Sequence, residues 1–151
     1  MLEWEGRRLF VFSDFHLGDA ATDPIYEATL RRISTLQNGD YLVIAGDFFD
    51  LFVGDSKLFL ERYAPLLTEL GRATQARGVH VYYLEGNHDF LLGPALAKFG
   101  IQVVRDDCLR FTMGGRSFYI AHGDLVDQGD LQYLRLRRFF RGNMMRTIVR
   151  L

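Results

Sequence analysis

Short apolar runs alternate with longer amphipathic stretches along most of the chain. Four of these runs are rich in Val, Ile, Phe and Tyr, which is typical of buried β-strands. They lie at residues 8–13, 41–46, 79–84 and 117–122. Weaker apolar runs at 101–104 and 108–112 predict two further strands. The turn at 113–116 predicts a hairpin between the strands at 108–112 and 117–122.

Amphipathic stretches between the strands predict helices. Asp23 is followed by proline, a combination of N-cap and first-turn residue that begins a helix extending to about residue 37. A longer stretch at 56–77 should be kinked or split by Pro65, because proline cannot continue the main-chain hydrogen bonding. A short helix is expected at 93–99. Strands alternating with helices indicate an α/β fold.

The composition is that of one ordinary globular domain. The chain has 151 residues, of which 48% are hydrophobic, enough to form a sizeable core. Its apolar runs are shorter than the roughly 18 residues that a membrane-spanning helix needs, and its first residues lack the apolar stretch of a signal peptide. The lone Cys108 permits no internal disulfide and is interpreted as a structural residue rather than a nucleophile. We therefore expect a cytoplasmic protein.

The net charge of −1 is unevenly distributed. Residues 1–130 hold all 19 acidic residues and 12 of the 18 basic ones, whereas residues 131–151 hold six arginines and no acid. The acidic excess of the first part makes a nucleic acid an unfavourable partner.

In the basic tail, arginines alternate with large apolar residues, and Gly142 with Asn143 should break it into two short helical pieces. Two interpretations of this tail remain open. It is either an amphipathic core helix with a solvated basic face, or a lid beside an anionic lipid or phosphate.

Each of the four strong strands is followed by polar side chains that can bind metal or transfer protons. The four clusters are Asp14 with His16, Asp47 with Asp50, Asn87 with His88 and Asp89, and His122 with Asp124. Because the carboxyl ends of strands in an open α/β sheet meet at one edge, we expect the clusters to lie together. Oxygen and imidazole donors without a thiolate suit Mn, Fe or Zn, and one shared carboxylate could bridge two cations.

These clusters and the residues after them resemble a known family. The segments SDFHLGD, GDFFDLFVGD, GNHDFLLG and HGDLVDQGDLQYLRLRRFF are similar, in this order, to those of calcineurin-like metallophosphoesterases. Within that superfamily they most resemble the UDP-2,3-diacylglucosamine pyrophosphatases of lipid A synthesis. The resemblance implies a four-layer αββα sandwich, with the core at 1–128 and the start of a helical cap at 129–151.

The resemblance also implies a site with two divalent metal ions, for which Mn²⁺ is expected and Fe or Zn are alternatives. Asp14 and His16 would hold one ion, Asp47 would bridge both, and Asn87 and His122 would hold the second. His88 would be a catalytic histidine that aids the leaving group, and Asp89 would orient it. By a looser match, Arg135, Arg138 and Arg141 would contact phosphate or the membrane.

The implied reaction is the hydrolysis of UDP-2,3-diacylglucosamine to UMP and lipid X by a metal-activated hydroxide. It would occur in the cytoplasm, with peripheral contact at the inner membrane. One alternative is a phosphoesterase of other specificity, such as a phosphodiesterase or phosphoprotein phosphatase. The other is a metallophosphoesterase-like binding module without catalytic activity.

The chain departs from the family pattern in two ways. His88 stands where the best-known branch of these pyrophosphatases carries arginine. The GHxH motif that completes the family's metal site does not occur among the 151 residues, whose four histidines are His16, His80, His88 and His122. We therefore expect this chain to be part of a longer protein, with a naturally truncated form as the alternative. Sheet edges exposed by such a truncation would favour self-association.

Overall fold

The computed structural model describes residues 2–6, 8–20, 23–125, 129–140 and 142. The strands are β1 (Leu2–Trp4), β2 (Leu9–Phe12), β3 (Tyr41–Ala45), β4 (Phe52–Val53), β5 (His80–Leu84), β6 (Asp89–Phe90), β7 (Gln102–Val103), β8 (Cys108–Met113) and β9 (Arg116–Ala121). The helices are α1 (Pro24–Ser34), α2 (Lys57–Arg62), α3 (Ala64–Gln75), α4 (Gly93–Ala97) and α5 (Leu131–Phe140).

The strands form two main sheets and one short ladder. A parallel sheet has the order β2-β3-β5-β7, and a mixed sheet has the order β1-β8-β9, with β8 and β9 antiparallel as the predicted hairpin. Strands β4 and β6 pair with each other in parallel. The α/β class is confirmed. The strand predicted at 117–122 belongs to the second sheet, so the residues that follow it approach the parallel sheet from another layer.

Alternating residues of β3 face two different cores. Leu42 and Ile44 pack against the helix layer, whereas Tyr41 and Val43 pack against the second sheet. All five residues of this strand are buried, as expected for a parallel strand covered on both faces. The described residues thus build a helix layer and the two sheets of the sandwich.

The space between the sheets is filled largely by aromatic rings. The ring of Trp4 stacks on Phe111 of β8 and on Tyr41 of β3, with ring centroids 3.6 Å and 4.2 Å apart. This stack joins β1 and the hairpin to the parallel sheet. Strand β1 was not predicted, because three residues are too short to show a periodic pattern.

The predicted helix signals are confirmed with small changes in length. The carboxylate of Asp23 accepts a hydrogen bond from the main-chain N–H of Ile25 at 2.8 Å, and α1 ends at Ser34 rather than near residue 37. The stretch 56–77 is divided between α2 and α3, with Pro65 in the first turn of α3. None of the helices formed by the described residues is long and apolar enough to cross a membrane.

A buried carboxylate ties the start of the parallel sheet to the loop after α1. Asp40, which is 2% exposed, accepts two hydrogen bonds from the guanidinium of Arg8, at 2.9 Å and 2.6 Å, and one from the main-chain N–H of Gln37 at 2.8 Å. The hydrogen bonds from Arg8 hold the pKa of Asp40 below its usual value, although burial opposes this effect. A carboxylate whose pKa is lower in the folded state stabilises the fold fully at a pH above its pKa in the unfolded chain, which is about 3.9. This stabilisation is lost as the pH falls through the pKa of the carboxylate in the folded state.

Replacing Asp40 by Asn should lower the free energy of unfolding at pH 7 and flatten its decrease below about pH 4. Urea unfolding at pH 7 and at acid pH measures both effects. Glu27→Gln is a suitable control, because Glu27 and Arg31 form an ion pair at 3.2 Å with both side chains more than two-thirds exposed. The prediction is contradicted if the free energy of unfolding of Asp40→Asn decreases at acid pH as steeply as that of the unmodified chain.

Candidate active site

The first two polar clusters are joined by main-chain hydrogen bonds. The N–H of Asp14 donates to the carbonyl of Gly46 at 3.2 Å, and the N–H of His16 donates to the carbonyl of Asp47 at 2.9 Å. These bonds extend the pairing of β2 with β3 beyond the ends of both strands. The side chains of Asp14, His16 and Asp47 are therefore placed at the carboxyl edge of the parallel sheet, as the pattern predicted.

The main chain at this edge is strained. Asp14, His16 and Asp47 have positive φ angles of 55°, 47° and 49°, and Leu91 is the only other described residue besides glycine with a positive φ. Asp and His adopt this conformation more readily than most residues, yet it still costs free energy. The surrounding hydrogen bonds hold the backbone in this conformation, which turns the side chains towards one another.

The second sheet brings His122 to the same place. Gly46 has a φ of 82°, and a Cβ atom at this position would lie 2.6 Å from Nδ1 of His122. Glycine therefore allows the imidazole to pack directly against the loop that carries Asp47. The Nδ1 atom of His122 lies 2.9 Å from the carbonyl oxygen of Ala45, which leaves Nε2 facing the site.

Asp47 lies at the centre of the cluster. Its Oδ2 atom is 3.4 Å from Nε2 of His122 and 3.9 Å from Nε2 of His16. Among the described residues, Asp47 belongs to two groups of candidate ligand atoms. The first group also contains His16 and His88, and the second contains Asp14 and His122. Within each group, the candidate ligand atoms lie within 4.8 Å of one another.

This donor set fits divalent cations. It offers carboxylate and imidazole ligands from several loops, and one carboxylate is common to both groups, as a bridging ligand of two metals requires. Asp14 and His16, which the family resemblance assigned to one ion, fall in different groups here. Oδ1 of Asn87 lies 3.2 Å from Nε2 of His122, so the amide is also within the cluster. The division of the ligands between two ions remains a proposal.

The charges of Asp47 and His122 favour each other. Burial opposes ionisation of Asp47, but hydrogen bonds with His122 and with the main-chain N–H of His88 lower its pKa below the usual value. The same contact with Asp47 raises the pKa of His122 to about 9, although burial acts in the opposite direction.

His88 faces the same edge as the ligands. Its ring meets that of His16 edge to face, with centroids 4.7 Å apart. Its main-chain N–H donates to Oδ1 of Asp47 at 2.9 Å, and its Nδ1 lies 2.7 Å from the carbonyl oxygen of Asp50. Because a carbonyl oxygen can only accept, Nδ1 carries a proton in this contact and Nε2 remains available to a substrate.

Asp89 contacts the loop that carries Asp47, and the role in orienting His88 that the family pattern implies stays a prediction. The carboxylate of Asp89 is fully buried and accepts a hydrogen bond from the hydroxyl of Tyr83. It also accepts hydrogen bonds from four main-chain N–H groups, those of Asp47 at 3.1 Å, Phe48 at 2.7 Å, Phe49 at 3.3 Å and Gly86 at 2.8 Å. Burial raises the pKa of Asp89 to about 6, while the hydrogen bonds from Tyr83 and the main chain favour the ionised form. Asp89 therefore stabilises the loop of Asp47, and the carbonyl of Asp50 contacts the ring of His88.

Replacing Asp89 by Ala should destabilise the chain by about 3 kcal/mol or more, because each unpaired buried donor costs about 1–3 kcal/mol. Urea unfolding in the presence of a chelator measures this loss separately from any effect of metal. Asp50→Ala removes an exposed aspartate nearby and should change stability by less than about 0.5 kcal/mol. A similarly small effect of Asp89→Ala would show that the loop does not depend on this carboxylate.

The predicted substrate arginines lie on or beyond α5. Arg135 and Arg138 are exposed, and Arg141 lies outside the described residues. Leu131, Leu136 and Phe139 of the same helix are also exposed, so residues 131–140 do not form the core helix that was one interpretation of the tail. The ring of Phe140 lies 5.9 Å from that of Phe90, directly after the Asn-His-Asp cluster. The helix thus borders the candidate site.

Contacts of two residues, Ser13 and Arg137, were not predicted. The hydroxyl of Ser13 donates to the carboxylate of Asp14, and Arg137 contacts Asp124 and Asp107. No sequence signal separated Arg137 from its neighbouring arginines, although its spacing of four from Tyr133 could have indicated a shared helix face.

Comparison with known proteins identifies the family. The model of the calcineurin-like phosphoesterase family matches residues 7–145. The chain is 36% identical over 138 residues to a UDP-2,3-diacylglucosamine hydrolase of Ralstonia nicotianae, covering 88% of this chain and 49% of that protein. It is 35% identical over 148 residues to the hydrolase of the same name from Nitrosococcus oceani, covering 94% and 56%, respectively. It is 31% identical over 145 residues to the UDP-2,3-diacylglucosamine hydrolase of Ectopseudomonas mendocina, covering 94% of this chain and 58% of that protein. The chain spans about half the length of the curated relatives it matches. With its family match and its cluster of candidate metal ligands, the chain belongs to the calcineurin-like phosphoesterases.

Proposed function

We propose that this chain hydrolyses the pyrophosphate bond of UDP-2,3-diacylglucosamine, releasing UMP and lipid X. The observation that carries the proposal is the convergence of the candidate ligands around Asp47, next to the available imidazole of His88. The names of the similar proteins support the choice of substrate.

The proposed metal ligands are Asp14, His16, Asp47, Asn87 and His122, with Mn²⁺ as the expected ion and Fe or Zn as alternatives. Divalent cations held there would lower the pKa of a water molecule and neutralise charge on the phosphoryl oxygens. The contact between His122 and the carbonyl of Ala45 keeps one imidazole nitrogen directed at the site. His88 is fixed through Nδ1, so its Nε2, when protonated, can donate to the leaving phosphate oxygen.

A cleft near these residues could hold the rest of the substrate. It has a volume of about 660 Å³. Apolar residues of α4 and β7 line it together with Leu91, and so do the charged residues Asp55, Glu85 and Arg105. A smaller pocket that shares Glu85 and Arg105 reaches His122. The two pockets share lining residues, so a substrate with polar and apolar parts could extend from the ligand cluster into the cleft.

Peripheral contact with the inner membrane is part of the proposal. Leu136 and Phe139 are exposed on α5 beside Arg135 and Arg138, a combination that favours anionic lipid surfaces. Co-sedimentation with phosphatidylglycerol vesicles should decrease when Phe139 is replaced by Glu. Equal binding of both forms would exclude this helix face as the membrane contact.

A phosphoesterase of other specificity is the second candidate, and His88 in place of the arginine of the best-known branch favours it. The deciding experiment is the release of UMP from UDP-2,3-diacylglucosamine with Mn²⁺, Fe²⁺ or Zn²⁺, compared with the cleavage of bis(p-nitrophenyl) phosphate. Faster turnover of the lipid-linked substrate supports the proposal. Cleavage of the small phosphodiester alone supports the second candidate. Absence of metal binding in a titration of the full-length protein supports a non-catalytic module.

A further inference from the structure

Helix α5 turns two polar side chains towards the protein and several apolar ones towards solvent. Tyr133 and Arg137 are partly buried, whereas Leu136 and Phe139 are exposed. Tyr133 and Arg137 are four positions apart and share one face of the helix. Since no residue of α5 is fully buried, polar contacts on this face contribute much of its attachment to the core.

Both inward residues bind the same carboxylate. The hydroxyl of Tyr133 and the Nε of Arg137 lie 2.6 Å and 2.9 Å from Oδ2 of Asp124. The side chain of Asp124 is 9% exposed, so these charge-assisted hydrogen bonds are largely shielded from water. Asp124 comes two residues after the candidate ligand His122. The helix is therefore bound to the loop that continues from this ligand.

Arg137 makes a second ion pair with Asp107, the residue directly before β8 of the hairpin. Its Nη2 lies 2.5 Å from Oδ1 of Asp107. Cys108 and Ala121 are the end pair of the β8-β9 ladder, so Asp107 and His122 leave the hairpin side by side. The guanidinium of Arg137 thus spans the open end of the hairpin and contacts the chain beyond both strands.

We propose that Arg137 is a positioning residue, which holds α5 beside the candidate metal edge so that the helix helps to bind a large substrate. The inference rests on the proposed function, because it takes the phosphoryl group to bind at the edge around Asp47. His122 itself is held independently, through the carbonyl of Ala45 and the carboxylate of Asp47. Loss of Arg137 should therefore weaken binding of the lipid-linked substrate without removing the metals.

The first test needs no activity. In hydrogen–deuterium exchange of the 151-residue chain, Arg137→Ala should accelerate exchange in residues 131–140 by about tenfold or more. Arg135→Ala is the matched control, because it removes an exposed arginine from the same helix and adds the same alanine. Unchanged protection in Arg137→Ala, or equal loss in both variants, would overturn the proposal.

The second test separates binding from chemistry. With UDP-2,3-diacylglucosamine, Arg137→Ala should raise KM by about tenfold and change kcat by less than about twofold. Turnover of bis(p-nitrophenyl) phosphate and metal content should remain unchanged, and Arg137→Lys should restore part of the lost affinity. A fall in kcat for both substrates, accompanied by loss of metal, would overturn the positioning role. If the unmodified chain cleaves neither substrate, the proposed function fails, and the exchange experiment alone decides whether Arg137 holds the helix.

Discussion

Replacing Asp47 by Asn should remove bound divalent metal and abolish phosphoesterase activity. Asp47 contributes to both groups of candidate ligand atoms, so one substitution weakens two metal positions at once. The amide has nearly the same shape and can still accept the hydrogen bond from the main-chain N–H of His88. It lacks the negative charge that attracts the cations and pairs with His122. We expect metal affinity to fall by more than the roughly 10- to 100-fold caused by losing a group that only hydrogen-bonds to a metal ligand.

The measurement is elemental analysis of the dialysed chain, followed by titration with Mn²⁺, Fe²⁺ and Zn²⁺. About two ions per chain are expected in the unmodified protein, as for a two-metal phosphoesterase. Asp50→Asn is the matched control, since it changes an exposed aspartate of the same loop that belongs to neither ligand group in the described part of the chain. Retention of both ions by Asp47→Asn would exclude Asp47 as the bridging ligand.

Replacing Gly86 by Ala should have a comparable effect without changing any ligand. A Cβ atom at residue 86 would collide with Oδ1 of Asp47 and lie 2.5 Å from its main-chain nitrogen. That nitrogen donates to Asp89, and Oδ1 accepts from His88, so the aspartate cannot move without breaking these contacts. We expect a loss of at least about 2 kcal/mol in the free energy of unfolding, together with a loss of metal affinity.

Gly93→Ala provides the control for Gly86→Ala. Gly93 begins α4, and an added Cβ there would meet no atom within 4 Å. The free energy of unfolding of Gly93→Ala should stay within about 1 kcal/mol of that of the unmodified chain, or rise, because alanine restricts the conformations of the unfolded chain. Urea unfolding and metal titration of the two variants should therefore separate clearly. Normal metal binding by Gly86→Ala would mean that the loop of Asp47 adjusts without loss of the site.

Much of the fold could be predicted because its signals are local. The cap at Asp23, the break at Pro65 and the glycine turn of the hairpin depend on residues close together in the chain. The two-residue strands β4 and β6 were missed, since their pairing joins segments that carry no periodic pattern of their own.

The metal-ligand candidates were also accessible to sequence reasoning, because each cluster follows an apolar strand and strand ends gather at one edge of a sheet. The pattern could not show that His122 comes from a different sheet from the other ligands. Sheet membership depends on pairing between distant strands, and side chains such as Trp4 and Tyr41 pack between the two sheets.

The sequence by itself determined which residue types are available at the site and roughly where the strands that carry them end. Only the tertiary structure decided which contacts each of two neighbouring residues makes. His88 and Asp89 are adjacent, but the side chain of His88 faces the site and that of Asp89 faces the buried loop of Asp47. Arg137 differs from Arg135 and Arg138 only by its rotation about the helix axis, which turns it towards Asp124. These assignments depend on partners between 13 and 42 positions away in the chain, which local patterns cannot specify.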